Sequence, residues 1–274
     1  MDDSKNYIFV CGCPRSGTTA MWSLLTAAEE AVIGVERYGK RVFSRASLTP
    51  ELFEQTRFFT LQEGDTFYTD LDKFQPYYAL AREKFARATI FGDKIPKLYE
   101  RFDSFFAAFP RAKVIFMFRN IFDVAASYKR RSMNTEDSTW GRGKGVSVAI
   151  RDWAKAITAY KNAPRQNILP ICYEDFFIGG NGLEQLASFV GVADKSKMQE
   201  KFVRVRQRSE KIESTRARDL NTAEIFEICL KAPFGAYREI LSAARIPGAP
   251  AAAPQTPVSE LKVERDSRAG GAPA

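Results

Sequence analysis

The chain contains no histidine. That removes the commonest zinc ligand and the commonest general base, so acid–base work falls to Asp, Glu, Lys, Tyr or Cys, and no catalytic metal is expected. Cysteine is sparse: Cys11, Cys13, Cys172 and Cys229. Cys11 and Cys13 stand two apart, which is no zinc-knuckle spacing. They read as small apolar residues, reduced in a cytoplasmic protein. The opening "MDDSKNYIFV" is acidic early and lacks a long apolar stretch, so neither a secretory leader nor a membrane anchor is expected. No segment approaches the about 18 uninterrupted apolar residues of a spanning helix.

What is present suits one α/β domain. Of 274 residues, 45% are hydrophobic and 27% charged, enough to bury a sizeable core. Short apolar runs predict strands at 7–11, 89–92, 113–118 and 168–172. Helical patterns fall at 18–29, 49–58, 73–87, 97–108, 121–132, 146–163, 181–190, 196–205 and 221–244. Such alternation predicts a three-layer, P-loop-like α/β domain over residues 1–246, with a central, mainly parallel sheet flanked by helices. From Pro247 the chain turns Ala/Pro-rich, "PGAPAAAPQTP". Residues 247–274 are expected to be a tail that builds no core.

The net charge of +8 is concentrated. Residues 201–218 hold seven basic and two acidic residues, and "YKRR" at 128–131 is a second cluster. No nucleic-acid recognition module accompanies this charge, so nucleic acid is not an expected partner. A solvated helix face is the plainer reading of 201–218.

The informative stretch is "GCPRSGTTAMWSLL", residues 12–25, directly behind the first apolar run. Gly12 and Gly17 bracket four residues and let the chain curl, so that backbone N–H groups and the following helix N-terminus face an anion. Thr18 and Thr19 add hydroxyls. The frame is that of a nucleotide P-loop without its G-K-[ST] ending; Arg15 supplies the positive charge inside the loop instead. A magnesium-dependent kinase places an aspartate at the end of a second apolar strand. Here "KVIFMF" ends in Arg119, which repels a metal ion and suits a second phosphate. If the next helix starts near Ile121, Ser127 and Arg131 lie one turn apart on one face, and Arg119, Ser127 and Arg131 converge on one anion.

Taken together, these motifs resemble the sulfotransferases that use 3′-phosphoadenosine 5′-phosphosulfate (PAPS), in the tyrosyl-protein and bacterial glycolipid branch. "CPRSGTT" is similar to that family's 5′-phosphosulfate loop, which implies donor contacts from Arg15, Ser16, Gly17, Thr18 and Thr19. Arg119 with Ser127, eight residues on, resembles the 3′-phosphate pair, and Arg131 fits the same branch. "ICYEDF" and "LASFVGV" resemble the later strand–helix region, which would bring Tyr173 near the adenine. "GDKIP" resembles G-[DE]-K-x-P, whose lysine, here Lys94, polarises the donor. The resemblance covers residues 7–192 and implies PAPS as cosubstrate, 3′-phosphoadenosine 5′-phosphate (PAP) as product and no metal.

Two carboxylates compete for the role of base. Glu36 follows Arg15 by twenty-one residues, the step seen in the tyrosyl-protein branch. Asp93 stands where glycosaminoglycan sulfotransferases carry their glutamate. Lys94 beside Asp93 is expected to favour its charged form and lower its basicity, which leaves Glu36 as the expected base, with Lys94 and Arg15 as charge stabilisers. Ser209 and Lys211 are weaker candidates for a loop over the donor. The aromatics Phe58, Phe59, Phe67, Tyr68, Phe74, Tyr77 and Tyr78 are open between an acceptor cleft and ordinary packing. The acceptor itself (carbohydrate, glycolipid or another alcohol) is open. So are two other functions, a P-loop-type small-molecule kinase and a nucleotide-binding protein without catalysis.

Overall fold

The computed structural model describes residues 5–44, 46–68, 72–137, 140–213 and 219–244; the tail expected at 247–274 lies outside them. Five strands, β1 (Asn6–Gly12), β2 (Ala31–Val35), β3 (Ile90–Lys94), β4 (Lys113–Phe118) and β5 (Ile168–Cys172), form one sheet in the order β2-β3-β1-β4-β5. Every pairing is parallel. The strands have no polar face. Along β1, Tyr7, Phe9 and Cys11 enter one layer of the core while Ile8 and Val10 enter the other, and β4 alternates likewise. Full burial of one such apolar side chain contributes about 1.5–3 kcal/mol, so strands of this kind are stable only between two helical layers.

One layer contains α1 (Thr18–Leu25), α8 (Leu183–Val190) and α9 (Ser196–Glu213), which contribute Met21, Leu24, Leu186, Val190, Met198 and Phe202. The other contains α4 (Gln75–Lys84), α5 (Phe102–Ala108), α6 (Ile121–Met133), α7 (Val146–Asn162), α10 (Thr222–Lys231) and α11 (Phe234–Ala244). Two short helices, α2 (Gly39–Phe43) and α3 (Gln55–Phe59), lie beyond β2 in the chain. From β1 the chain steps out to β2, returns to β3, and then crosses β1 to reach β4 and β5. The carboxyl ends of β1 and β4 therefore flank the point where the winding reverses, the place where open parallel sheets bind ligands.

Several elements differ from the sequence pattern. Residues 31–35 are a strand the pattern misses, because Gly34 interrupts a run of only five residues. This edge strand has its backbone closed by side chains, as exposed edges require. Ile33 N–H donates to the Tyr77 hydroxyl, which donates back to Ile33 C=O; Val35 N–H donates to Tyr78, and Trp22 Nε1 also donates to Ile33 C=O. Those two tyrosines and Phe58 thus serve packing and edge closure. The pattern at 221–244 divides at Pro233, which supplies no N–H to continue α10. The pattern at 97–108 begins instead as a tighter 3₁₀ segment, Pro96–Arg101, before α5. Helix α1 stops at Leu25 rather than residue 29, and α9 runs eight residues past the expected 205.

Candidate active site

The loop between β1 and α1 is held from within and below. Ser16 N–H donates to Cys13 C=O at 3.1 Å. Arg15 takes φ 73° and Gly17 φ 94°, left-handed backbone that a non-glycine residue seldom adopts. Gly17 is needed for a second reason: a Cβ there would come within 2.3 Å of the Tyr173 ring. The first turn of α1 has no acidic residue and no side-chain cap, so its N–H groups and positive end remain available to an anion. Thr18 is buried there and Thr19 exposed. Ser16 Oγ is fully buried and has no hydrogen-bond partner among the described residues. An unpaired buried hydroxyl costs about 1–3 kcal/mol, which an oxygen-rich ligand at the helix end would offset.

Below the loop lies a buried polar network that the sequence does not announce. Asp152 of α7 accepts from the Tyr128 hydroxyl at 3.2 Å and pairs with Lys97 at 2.8 Å. Tyr128 in turn lies 3.9 Å from the Cys13 sulfur. Burial pushes the Cys13 thiol well up, so it stays a neutral packing group rather than a nucleophile.

The ends of β2 and β3 form a second cluster. Glu36 directly follows β2 with φ 51°, and its N–H donates to Lys94 C=O at 2.8 Å. Its Oε1 accepts from Lys94 Nζ at 2.5 Å and from the Tyr68 hydroxyl at 3.2 Å. The Glu36 side chain is 28% exposed, whereas that of Lys94 is 2% exposed. Asp93 precedes Lys94 in the strand and so faces the opposite way. It is fully buried and accepts from Arg37 N–H at 3.2 Å and Tyr38 N–H at 2.8 Å. Gly34 makes room for it, since a Cβ there would lie 2.8 Å from Asp93 Oδ1. Burial pushes the Asp93 carboxyl up to about 7. This corrects the expectation that Lys94 lowers it, because desolvation outweighs the neighbouring charge.

At the end of β4, Arg119 is buried with its guanidinium 3.9 Å from the Tyr173 ring centre. Its Nη2 donates to Asp123 at 3.0 Å, one turn along α6, and its Nε lies 3.7 Å from Glu174. Trp153 Nε1 donates to its carbonyl. Tyr173 donates to Ser209 of α9 at 2.8 Å, so Ser209 is buried beneath the ring while Lys211 is exposed. Residues 214–218 of the basic stretch lie outside the described residues.

Ser127 and Arg131 each have partners other than Arg119. Ser127 Oγ accepts from Arg15 Nε at 2.9 Å, which joins the loop to α6. Arg131 turns to the far end of α6, bonds Asp137 at 2.6 Å through Nε and stacks 4.6 Å from Trp140. Sequence reasoning therefore missed Asp123, Glu174, Trp153 and Tyr68 as partners. The i,i+4 spacing of Arg119 and Asp123 could have signalled one of them; the others depend on tertiary contact.

Among solved structures, the chain is similar to the sulfotransferase domain of the curacin biosynthetic pathway, at 19% identity over 72% of this chain and 77% of that one, with TM-score 0.48. It is also similar to the sulfotransferase domain of the Synechococcus PCC 7002 olefin synthase, at 20% identity over 72% and 78%, with TM-score 0.44. A mouse sulfotransferase complexed with PAP is 15% identical over 73% and 64%, with TM-score 0.43. No curated protein matches the chain. The sulfotransferase family's own model matches residues 7–192, from β1 through α8. That span takes in the loop, the Glu36–Lys94 cluster and the Arg119–Tyr173 stack, and the chain belongs to the sulfotransferase family.

Proposed function

We propose that this sulfotransferase takes its sulfonate from PAPS and delivers it to an acceptor hydroxyl, with Glu36 as general base. The observation that carries the donor reading is the Arg15–Ser127 hydrogen bond. It sets the β1–α1 loop beside α6, so that a phosphate on the loop and a second phosphate near Arg119 lie within one cleft. The unpaired Ser16 hydroxyl and the uncapped start of α1 fit an oxyanion in the loop. PAPS, when bound, supplies an activated sulfonate on a 5′-phosphate. The loop residues Arg15, Ser16, Gly17, Thr18 and Thr19 grip that end, and Arg119 and Ser127 grip the 3′-phosphate. Tyr173, packed between Gly17 and Arg119, supports the base and ribose side.

Lys94, buried at the end of β3 with its ammonium on Glu36, would offset the charge that grows on the leaving phosphate oxygen. Glu36, partly exposed beside that ammonium, accepts the acceptor's proton. Asp93 suits the role poorly, because both its oxygens already accept backbone N–H groups and no part of it is exposed. We assign it instead to holding the turn that presents Glu36. Acceptors within this reading are carbohydrates, glycolipids or other alcohols.

The test is a nucleotide titration without magnesium. PAP should bind tightly, and its analogue lacking the 3′-phosphate should bind at least about tenfold more weakly, the loss of one charge-assisted contact. Equal binding of the two would remove the PAPS reading, and a preference for ATP in a second titration with magnesium added would replace it with a kinase-like one.

A further inference from the structure

We infer that Tyr68 is a positioning residue for the base: with Lys94 it occupies Oε1 of Glu36 and so reserves Oε2 for the acceptor's proton. The inference rests on the reading of Glu36 as base. Both bonds, 2.5 Å from Lys94 Nζ and 3.2 Å from Tyr68, end on the same oxygen. Oε2 has no partner among the described residues. A carboxylate free to rotate presents either oxygen to the acceptor, whereas one pinned by two donors presents one.

The loop carrying Tyr68 does not need this bond to stay in place. Thr66 Oγ1 donates to Glu36 C=O at 2.8 Å, and Tyr68 N–H donates to Thr66 Oγ1 at 3.2 Å. The Tyr68 ring packs edge-on against Phe74, with Lys73 Nζ 4.8 Å above it. The hydroxyl's bond to the carboxylate is additional to these ties. Burial, together with the Glu36 charge, pushes the Tyr68 phenol up, so it is a constant donor through the neutral range. Three other charged groups act on the pair: Lys94 and Asp93 from β3 and Arg131 from α6; the Arg37 guanidinium lies instead over the Phe58 and Tyr78 rings.

In the step itself the acceptor oxygen bonds to sulfur. The bond from sulfur to the 5′-phosphate oxygen breaks, and its electron pair stays on that oxygen. The acceptor's proton goes to Oε2. A hydrogen bond to a carboxylate favours its charged form, so removing the Tyr68 donor both frees the rotation and takes away one of the two donors that support that form.

The experiment measures turnover against pH for the full chain with PAPS and an alcohol acceptor. Tyr68→Phe keeps the ring packing and should lose about tenfold in kcat, with the acidic limb moved up and PAP affinity unchanged. Fluorotyrosine at position 68, a stronger donor, should move the limb down. Thr66→Val, which cuts both ties through Oγ1, to Glu36 C=O and from Tyr68 N–H, but keeps the Tyr68 hydroxyl, should leave the limb in place. If Glu36→Gln is inactive while the limb is the same in wild type, Tyr68→Phe and the fluorotyrosine protein, the Tyr68 role is overturned and the base reading stands. If Glu36→Gln turns over like wild type, the base reading fails and Tyr68's role fails with it.

Discussion

The two halves of the candidate site treat buried charge in opposite ways. On the β1–β4 side, Arg119 is buried between two carboxylates, Asp123 and Glu174, and an aromatic ring. Its charge is balanced and its geometry fixed before any ligand arrives. On the β2–β3 side, Lys94 is equally buried but pairs, among the described residues, with Glu36 alone, whose second oxygen meets no donor there. A balanced, rigid cation suits binding, since a phosphate meets a preset fork. A carboxylate with one oxygen pinned and one unsatisfied suits proton transfer. The difference implies that donor binding and chemistry are separable by mutation.

The largest effect expected from that division falls on the base side. Glu36→Gln should lose roughly 10²–10⁴ in turnover, the usual scale for a general base, with PAP affinity nearly unchanged in a calorimetric titration. A parallel loss of PAP affinity would erase the division. On the binding side, Ser127→Ala and Arg119→Lys should each cut the preference for PAP over its 3′-dephospho analogue by about tenfold or more, with kcat at saturating donor little changed. Arg119→Lys keeps a cation between Asp123 and Glu174, so it tests the fork without leaving buried carboxylates unpaired.

Asp93→Asn should have the smallest effect on chemistry and a visible one on stability. Asparagine has one acceptor oxygen for the two N–H groups of Arg37 and Tyr38, so one is left unpaired at a cost of about 1–3 kcal/mol. The pH dependence sharpens this. The native carboxyl titrates near 7, above its ordinary 3.8, so the native state binds more protons than the unfolded state between those values. That contribution to stability is complete below about 4 and is lost as pH rises through about 7. Thermal melts across pH 4–8 should show this decline in wild type and lack it in Asp93→Asn. An identical slope in both would remove Asp93 as its source.

The same contrast explains what the sequence made legible. The loop side is local: Gly12, Arg15, Gly17 and the Thr18–Thr19 pair sit within eight residues, and Arg119 closes an unmistakable apolar strand. The fold class followed from alternating runs that needed no knowledge of contacts. The β2–β3 side is not local. Glu36 meets Tyr68 from thirty-two residues away and Lys94 from fifty-eight, and no motif spans them. Strand β2 escaped because five residues containing a glycine carry little pattern; its edge is closed by tyrosines more than forty residues on. Asp93 was misjudged because its neighbour in sequence, Lys94, points to the other face, while the burial that governs it is a tertiary property.

Label transfer reads sulfonate movement from PAPS to a hydroxyl without an intermediate assumption. Wild-type chain should be incubated with ³⁵S-labelled PAPS, chelator and a panel of carbohydrate, glycolipid, lipid-like and phenolic alcohols, with PAP release followed alongside. Label should appear in at least one alcohol, with one PAP formed for each sulfonate moved and no loss of rate from the chelator. Tight PAP binding with no label moved to any acceptor, or phosphoryl transfer from magnesium-ATP to the same alcohols, would rule sulfonate transfer out.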